Sequence, residues 1–511
     1  MTLTLEELVG ERLMIGIPGT AVRDEDIRLF QDTRAAGLIL YRRNFESPAQ
    51  LVSLLMALEE ALGRRLLVAT DHEGGRVIML GEGVTIFPDN LAVGAAGEPL
   101  FAGHQGRIEA RELRRLGIDL NLGPVLDVLT DLYSPNIGIR AYGKQPDIVA
   151  RYGVARIRSM QAGGLSACPK HFPGKGHSPL DAHLRLPTID STWAEMHATH
   201  LPPFLDAIAA GVDCVMTSHP RYPRLDPSGV PATFSRLIVE DYLRGEVGFR
   251  GVIVSDDLEM GAIGETAALG EAAVRAARAG HDLLLVCHTA AAQRTAHAAL
   301  LEAYRTNALP RKALEESAAR VRRLRESRSA RFEGGPPRPE RDGEPLAKAM
   351  ATRAVTLVTP PRPELVRRLN GSVAVIVPRF SDLAVRITIE RALRDEAGYV
   401  KSTFAPLGVE PETLVVGIEP TEDEIALAAE AAGRADATIL FLFDAHLYPA
   451  DRKLLEAVTR RARECAVVLL RDPYDAALLP PGVLGITAYG FRRCQLDAVI
   501  TRLLVGLAGR S

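Results

Sequence analysis

The sequence predicts an α/β protein in which an N-terminal (β/α)8 TIM barrel is followed by a C-terminal α/β open-sheet sandwich domain. Three observations lead to this prediction. Eight short apolar runs alternate with helical patterns in the N-terminal part, a stretch rich in charge, glycine and proline follows, and six more apolar runs alternate with helical patterns beyond it. At 511 residues the chain is also too long for one ordinary hydrophobic core.

The eight N-terminal runs have the length and composition of strands. Segments with helical patterns, such as 47–63 and 271–280, lie between them. Eight strand–helix units in succession are what a TIM barrel requires. The runs are RLMIGIPG (12–19), AGLILYR (36–42), LLVATDHE (66–73), DLNLGPVLD (119–127), LSACPKHFP (165–173), VDCVMTSH (212–219), GVIVSDD (251–257) and DLLLVCH (282–288).

Polar side chains lie near the C-terminal ends of these runs. In a TIM barrel the C-terminal ends of the strands share the face on which catalysis takes place. The sequence therefore predicts one site built from these strand ends. The side chains are Asp71, Asn121, Lys170, His171, Ser218, His219, Asp256 and His288.

Domain boundaries follow from the composition around residue 330. The stretch SRSARFEGGPPRPERDGEP is charged and rich in glycine and proline, as exposed linkers are. We therefore predict a catalytic TIM barrel domain over 1–327, a linker over 328–346 and an α/β sandwich domain over 347–511. An open, mostly parallel sheet in the last domain is predicted by the runs AVTLVTP, SVAVIVP, TLVVGI, ATILFLF, AVVLLRD and VLGITAYG.

Composition and charge restrict the class of protein. The formal net charge of -3 argues against nucleic acid or a membrane surface as a partner. Five cysteines, odd in number and mostly within apolar runs, are predicted to be reduced core thiols. The N-terminus lacks the basic start of a signal peptide, and no run approaches the roughly 20 apolar residues of a membrane span. We therefore expect a cytoplasmic protein, and the sequence leaves its oligomeric state open.

Two segments carry residues suited to chemistry. The segment PKHFPGKGHSPLDAHLRLP (169–187) is broken by glycine and proline, so it cannot form a helix, and it places Asp181 and His183 on a predicted loop. The segment GFRGVIVSDDLEM (248–260) is a β-branched run that ends in two carboxylates, the first of which is Asp256. A carboxylate just beyond a buried strand is a recurrent catalytic position.

At these residues the chain resembles glycoside hydrolase family 3, in particular its β-N-acetylglucosaminidase branch of the two-domain type. The tail segments HLYPADRKLLEAV, LLRDPYDAALLP and AYGFRRCQ are similar to the C-terminal domain of two-domain members. The chain departs from many relatives at Lys175, where they have histidine, and at Met79, where they have arginine. The N-terminal resemblance is carried, in order, by AGLILYRRNFESPAQL, ATDHEGGRV, GIDLNLGPVLDV, SPNIGIRAYGKQPDIVA, KHFPGKGHSPLDAH, AGVDCVMTSH and GVIVSDDLEMGAI.

The resemblance implies a retaining glycosidase in which Asp256 is the nucleophile and Asp181 with His183 forms the acid/base pair. Chemistry agrees, because retention needs a carboxylate near a proton donor, and a histidine with a pKa of about 6.5 can donate a proton and later accept one. We expect the charge of Lys170 to favour the ionised form of Asp256. We predict a small carbohydrate as the partner, with no cofactor and no metal. The resemblance assigns sugar recognition to Asp71, Arg140, Lys170 and His171.

Other interpretations of the same residues stay open. Asp257 is interpreted as a helix cap, and Lys175 as part of the loop surface together with His177. Arg140 and Asp71 are of the types that form structural ion pairs inside barrels. Zinc takes the ligand types found in four side chains of this region, namely His171, His177, Asp181 and His183.

For the function, the leading prediction is an exo-acting enzyme that hydrolyses terminal β-linked GlcNAc from small glycosides, in particular muropeptide fragments in cell-wall recycling. An aromatic content of 5% with a single tryptophan predicts a small substrate, because a long polysaccharide cleft needs stacking platforms. The alternative is a β-N-acetylglucosaminide or β-glucoside phosphorylase, because a histidine acid/base carries no negative charge to repel phosphate. A non-catalytic sugar-binding protein is disfavoured, since all three predicted catalytic residues are present.

Overall fold

The computed structural model describes residues 3–130, 134, 136–177, 186–264, 267–327 and 337–506. Each of the predicted apolar runs overlaps a strand in this part of the chain. The strands are β1 Leu13–Ile15, β2 Gly37–Leu40, β3 Leu67–Thr70, β4 His72–Gly74, β5 Val77–Ile78, β6 Leu120–Asn121, β7 Ser166–Ala167, β8 Cys214–Met216, β9 Val252–Val254, β10 Leu284–Val286, β11 Thr356–Leu357, β12 Val373–Pro378, β13 Glu412–Val416, β14 Ala437–Leu442, β15 Cys465–Leu469 and β16 Leu484–Thr487.

Helices separate most of these strands along the chain, and 3-10 and π-helical segments lie among them. One 3-10 turn, Gly138–Arg140, carries a predicted site residue. The α-helices are α1 Leu5–Gly10, α2 Asp24–Thr33, α3 Pro48–Leu62, α4 Asn90–Ala95, α5 Pro99–Arg115, α6 Pro146–Ala162, α7 Trp193–Glu195, α8 Pro202–Ala209, α9 Gly261–Gly264, α10 Leu269–Ala279, α11 Ala290–Arg305, α12 Arg311–Ser327, α13 Gly343–Ala354, α14 Pro363–Arg368, α15 Glu396–Phe404, α16 Glu422–Arg434, α17 Pro449–Arg461 and α18 Arg493–Thr501.

Helix α3 illustrates how local sequence sets these boundaries. The Ser47 side chain accepts a hydrogen bond from the backbone N–H of Gln50, and Pro48 occupies the first helical turn, where a missing N–H costs nothing. The helix ends at Gly63, which adopts the left-handed conformation at φ 61° that favours glycine. Capping residues and glycine therefore fix both ends of the helix.

The N-terminal strands pair in parallel. A six-stranded sheet has the order β10-β1-β2-β3-β6-β7, and β8 pairs with β9. Two single parallel bridges extend these ladders, one between Phe172 and Thr217 and one between Val254 and Leu283. Strands β1, β2 and β3 are buried along their full length, as expected for parallel strands covered on both faces.

The C-terminal strands form a second six-stranded sheet with the order β11-β16-β15-β14-β12-β13. Strand β11 at the edge pairs antiparallel with β16, and the other pairs are parallel, which confirms the predicted mostly parallel sheet. Neighbouring residues along a strand join different cores: Val375 packs in one apolar cluster and Ile376 in another. The sheet is therefore buried on both faces.

Two features differ from simple strand–helix alternation. Strands β4 and β5 form an antiparallel hairpin directly after β3, which the sequence did not predict. Helix α13 begins at Gly343, inside the stretch predicted as the linker 328–346. Among the helices of the described ranges, none has the length and apolar character needed to cross a membrane.

Candidate active site

Asp256 lies directly beyond the buried strand β9. The preceding Ser255 is buried, and its hydroxyl accepts a hydrogen bond from the backbone N–H of Leu285 on the neighbouring strand, 3.1 Å away. Asp256 itself is partly exposed, and its Oδ1 accepts the N–H of Asp257 at 2.9 Å. The strand therefore presents a fixed carboxylate at its C-terminal end, where a substrate can reach it.

Positive charge around Asp256 favours its ionised form. Burial acts to raise its pKa, but the side chains of His219, Lys175 and Lys170 and the N–H of Asp257 outweigh burial and lower the pKa below its usual value. Burial lowers the pKa of His219 and that of Lys175, whereas Asp71 and Glu73 raise the pKa of Lys170. An ionised carboxylate at rest is what a nucleophile requires.

Lys170 and Arg140 converge on one buried carboxylate. The Nζ of Lys170 lies 2.7 Å from Glu73 Oε1 and also pairs with Asp71. Arg140 donates from Nε and Nη2 to the two oxygens of Glu73 at 2.8 and 2.7 Å. Burial disfavours the charged form of Lys170, but Asp71 and Glu73 outweigh it and raise the pKa of its ammonium. Arg140 therefore pairs with Glu73 rather than with Asp71, and both cations stay charged.

The Asp127 carboxylate contacts the chain segment that leads into the predicted loop. Nδ1 of His171 lies 2.7 Å from Asp127 Oδ2, and the N–H of Lys175 donates to Asp127 Oδ1 at 2.7 Å. Burial raises the pKa of Asp127, and Lys175 opposes that rise. Lys175 is only 3% exposed, so the prediction that it belongs to the loop surface is wrong, whereas His177 is exposed as predicted. Lys175 is buried because its backbone is bonded to Asp127.

The predicted acid/base residues Asp181 and His183 lie outside the described residues. The chain leading toward them is closely packed. The hydroxyl of Tyr222 donates to the carbonyl of Gly174 at 2.9 Å, and a Cβ at Gly176 would overlap the carbonyl of Val128. Glycine is therefore required at this close approach of two backbones.

Asp257, the second carboxylate after β9, is held by structural contacts. Its Oδ1 accepts the N–H of Glu259 at 3.1 Å, so it caps a turn rather than the start of a helix. Its Oδ2 lies 3.0 Å from Nε2 of His288, and Nδ1 of His288 lies 3.0 Å from a guanidinium nitrogen of Arg43. These contacts distinguish Asp257 from the partly exposed Asp256.

Three of the four predicted sugar-binding residues share one network in the described part of the chain, and the side chain of the fourth, His171, pairs with Asp127 instead. Asp71, Lys170 and Arg140 share the network around Glu73, and His171 follows Lys170. Sequence reasoning did not single out Glu73, Asp127 or the buried position of Lys175. Glu73 lies within the motif ATDHEGGRV and Asp127 within GIDLNLGPVLDV. A charged residue near the end of a predicted strand is the sequence feature by which both could have been identified.

One set of three side chains in the described ranges has the spacing of metal ligands. Ligand atoms of Asp444, His446 and Asp475 lie within 4.8 Å of one another. The three residues take part in ion pairs: Asp475 Oδ1 lies 2.8 Å from His446 Nδ1, and Arg471 pairs with Asp444. We interpret the cluster as an ion-pair network of the C-terminal part, in which the Arg471 cation disfavours a metal.

The chain is similar to a known family domain and to proteins that carry it. The N-terminal domain of glycosyl hydrolase family 3 matches residues 4–324. A beta-hexosaminidase of Xylella fastidiosa (strain 9a5c) is 39% identical over 282 residues, which cover 54% of this chain and 83% of that protein. A beta-hexosaminidase of Neisseria meningitidis serogroup C is 37% identical over 283 residues, covering 54% of this chain and 78% of that protein.

A solved structure extends the likeness to the whole chain. The glycoside hydrolase family 3 beta-N-acetylglucosaminidase from Paenibacillus sp. str. FPU-7 has a TM-score of 0.92 and 32% identity, covering 100% of this chain and 97% of that chain. The family domain alone matches more than half of the present chain. The protein is therefore a glycoside hydrolase and belongs to glycoside hydrolase family 3.

Proposed function

We propose that this protein is a retaining exo-β-N-acetylglucosaminidase that removes terminal β-linked GlcNAc from small glycosides. The observation that carries the proposal is Asp256, a partly exposed carboxylate beyond β9 whose pKa is lowered beside Lys175 and Lys170. The names of the beta-hexosaminidase relatives and of the Paenibacillus enzyme support GlcNAc as the sugar.

We further propose that the N-terminal part is a TIM barrel. The ladder β10-β1-β2-β3-β6-β7 and the pair β8-β9 are joined by the bridges from Phe172 to Thr217 and from Val254 to Leu283, so each of the eight strands has two parallel neighbours. Such a closed succession supports a barrel whose C-terminal strand ends share one face. We propose a catalytic domain over 1–327, a linker over 328–346 and a sandwich domain over 347–511.

The mechanism has two steps. Asp256 attacks the anomeric carbon while His183, which the resemblance pairs with Asp181, gives a proton to the departing oxygen, so the glycosidic bond breaks and a glycosyl ester of Asp256 forms. His183 then takes a proton from water, the water oxygen bonds to the anomeric carbon, and Asp256 leaves as a carboxylate. The net configuration of the sugar is retained.

Charged groups near the carboxylate suit recognition of sugar hydroxyls. Hydrogen bonds from ionised groups are stronger than neutral ones, and a competitor lacking the matching hydroxyl would leave a charged group unpaired. Because Glu73 fixes Lys170 and Arg140, these side chains can meet a hydroxyl without first being ordered. The sugar-binding set in this proposal is Asp71, Arg140, Lys170 and His171.

The proposal includes a substrate source and a location. Low aromatic content suits a small substrate, and muropeptide fragments produced during cell-wall recycling are small β-GlcNAc glycosides. We propose that the enzyme acts on such fragments in the cytoplasm.

The test is hydrolysis of an aryl β-N-acetylglucosaminide compared with the matching β-glucoside, each with and without phosphate. The proposal expects preference for the amino sugar and free GlcNAc as the product in both buffers. Preference for the glucoside, or a sugar phosphate as the product, contradicts it. A 5-fluoro glycosyl fluoride should label a peptide that contains Asp256.

Two variants assign the nucleophile. Asp256→Ala should lose turnover while staying folded, because a strand-end carboxylate contributes to chemistry more than to packing. Asp190→Ala, which removes an exposed carboxylate, is the matched control and should keep turnover. Near wild-type activity of Asp256→Ala on an activated substrate rules out the nucleophile assignment.

A further inference from the structure

The C-terminal part of the chain contacts the β4–β5 hairpin through its backbone carbonyls. Arg492 donates from Nε to the carbonyl of Gly75 at 2.7 Å and from Nη2 to the carbonyl of Arg76 at 3.4 Å. The hydroxyl of Thr388 donates to the carbonyl of Ile78 at 2.8 Å. The hairpin lies in the N-terminal part, so these bonds join residues more than 300 positions apart in the sequence.

Arg492 is fixed in place by its own surroundings. Its side chain is 1% exposed, and Nη1 donates to the carbonyl of Thr388 at 2.7 Å. Its backbone N–H donates to Gln495 Oε1 at 3.1 Å at the start of α18. The Glu390 carboxylate lies 4.0 Å from Nη1, so neutral carbonyls supply the short contacts of this buried guanidinium. A buried charge satisfied in this way is costly to displace.

The opposite side of the hairpin segment is held by the N-terminal part. The N–H of Arg76 donates to Asp89 Oδ1 at 2.6 Å, and a Cβ at Gly75 would overlap the Asp89 carboxylate. Upstream, Arg156 donates from Nη2 to the carbonyl of His72 at 3.2 Å and from Nη1 to the carbonyl of Glu73 at 2.8 Å. Arg156 therefore fixes the start of the segment, and Asp89 with Arg492 fixes its end.

The same segment carries two carboxylates of the sugar site. Asp71 and Glu73 come just before Gly75, and they are the partners of Lys170 and Arg140. A change in the backbone at Gly75 therefore changes where these carboxylates meet the two cations. Displacements of about 1 Å in such a site lower rates by as much as roughly 100-fold.

We propose that Arg492 is a positioning residue for sugar binding: the C-terminal part uses it to hold the 71–76 segment in the geometry that the sugar site needs. The inference rests on the proposed function, because it takes the network around Glu73 as the sugar site. Arg492 lies in the AYGFRRCQ motif and outside the residues 4–324 that the family domain matches. The proposal gives this motif a role in the reaction in addition to any role in holding the two parts together.

The experiment compares Arg492→Met and Arg492→Lys with the matched control Arg493→Met, whose side chain is 57% exposed. We expect Arg492→Met to raise KM and the Ki of a GlcNAc-derived lactam about tenfold, and to lower kcat/KM by about 10- to 100-fold. The loss should be equal for good and poor leaving groups. Arg492→Lys keeps a donor and should fall between Arg492→Met and wild type, and the control should match wild type.

KM and Ki separate positioning from loss of folded enzyme, because neither depends on the enzyme concentration. If Arg492→Met folds and binds the lactam as wild type does, with activity that follows only the amount of folded protein, the proposal is overturned. Should Arg492→Met fail to fold, Arg492→Lys and Thr388→Val give the same readout, and unchanged Ki in both also overturns it. Failure of wild type to cleave any GlcNAc glycoside counts against the proposed function instead.

Discussion

Replacing Glu73 with glutamine should destabilise the N-terminal part by about 3 kcal/mol at neutral pH. The carboxylate is 1% exposed and accepts bonds of 2.8 and 2.7 Å from Arg140, and Lys170 Nζ lies 2.7 Å away. Glutamine keeps the size of the side chain and one acceptor oxygen, but it removes the charge. Lys170 would keep Asp71 as a partner, whereas Arg140 would lose the carboxylate that accepts two of its hydrogen bonds.

The magnitude follows from the pKa of Glu73. Burial acts to raise it, but Arg140 and Lys170 outweigh burial and lower the pKa from 4.5 to about 2. At about 1.4 kcal/mol per pH unit, this difference corresponds to about 3 kcal/mol of stability. Breaking a buried ion pair from one side costs roughly 3–5 kcal/mol, which agrees. Because the folded pKa is the lower one, the stabilisation is complete above pH 4.5 and is lost as the pH falls toward 2.

Urea denaturation followed by tryptophan fluorescence measures the effect. Trp193 is the single tryptophan, and its ring centroid lies 4.4 Å from that of Tyr242, so its emission reports on the N-terminal part. Glu315→Gln is the matched control in the N-terminal part: its carboxylate pairs with Arg311 on the surface of α12, and its loss should change stability little. Equal stability of wild type and Glu73→Gln at neutral pH, or a difference that does not shrink below about pH 4, would refute the reasoning.

Two further variants test the catalytic groups. Lys175→Met removes a positive charge that lowers the pKa of Asp256, so this pKa should rise and the acid limb of the kcat/KM profile should move to higher pH. The control Lys144→Met, at an exposed lysine, should leave the profile unchanged. An acid limb that does not move in Lys175→Met contradicts the assignment. His183→Ala should slow the cleavage of glycosides with poor leaving groups far more than the cleavage of a nitrophenyl glycoside, and azide should restore part of the rate. An equal loss of rate for both kinds of glycoside, with no effect of azide, counts against His183 as the acid/base.

Sequence patterns predicted the strands well because most of them are buried along their full length, apart from edge strands such as β11 and β13. A parallel strand covered by helices must be apolar along its length, so each run was visible, although β6 and β7 are shorter than the runs that contain them. The β4–β5 hairpin escaped prediction because HEGGRVI has no alternation of apolar and polar residues. Its pairing depends on tertiary contacts such as that between Gly75 and Arg492.

Site residues were harder to predict than strands because their environment comes from distant parts of the chain. Lys175 stands among glycine, proline and histidine, a composition typical of exposed loops, yet Asp127 draws its backbone into the interior. Likewise, nothing near Arg140 in the sequence indicates that its partner is Glu73, 67 positions earlier. Local sequence therefore identified candidate charged residues but not the partners with which they form ion pairs and hydrogen bonds.

The charged groups around Asp71 and Asp256 shift the pKa values of these two carboxylates in opposite directions. Burial raises the pKa of Asp71, and although Lys170 opposes this, the nearby negative charges of Glu73 and Asp256 add to it. The pKa of Asp256 is lowered instead, because His219, Lys175, Lys170 and the N–H of Asp257 outweigh the effect of its burial. Environments that push two carboxylates in opposite directions are how a glycosidase keeps one ionised for attack while another serves hydrogen bonding. Lys170 pairs with Asp71 and Glu73, and of the two lysines Lys175 does more to lower the pKa of Asp256. Loss of Lys175 should therefore move the pH profile.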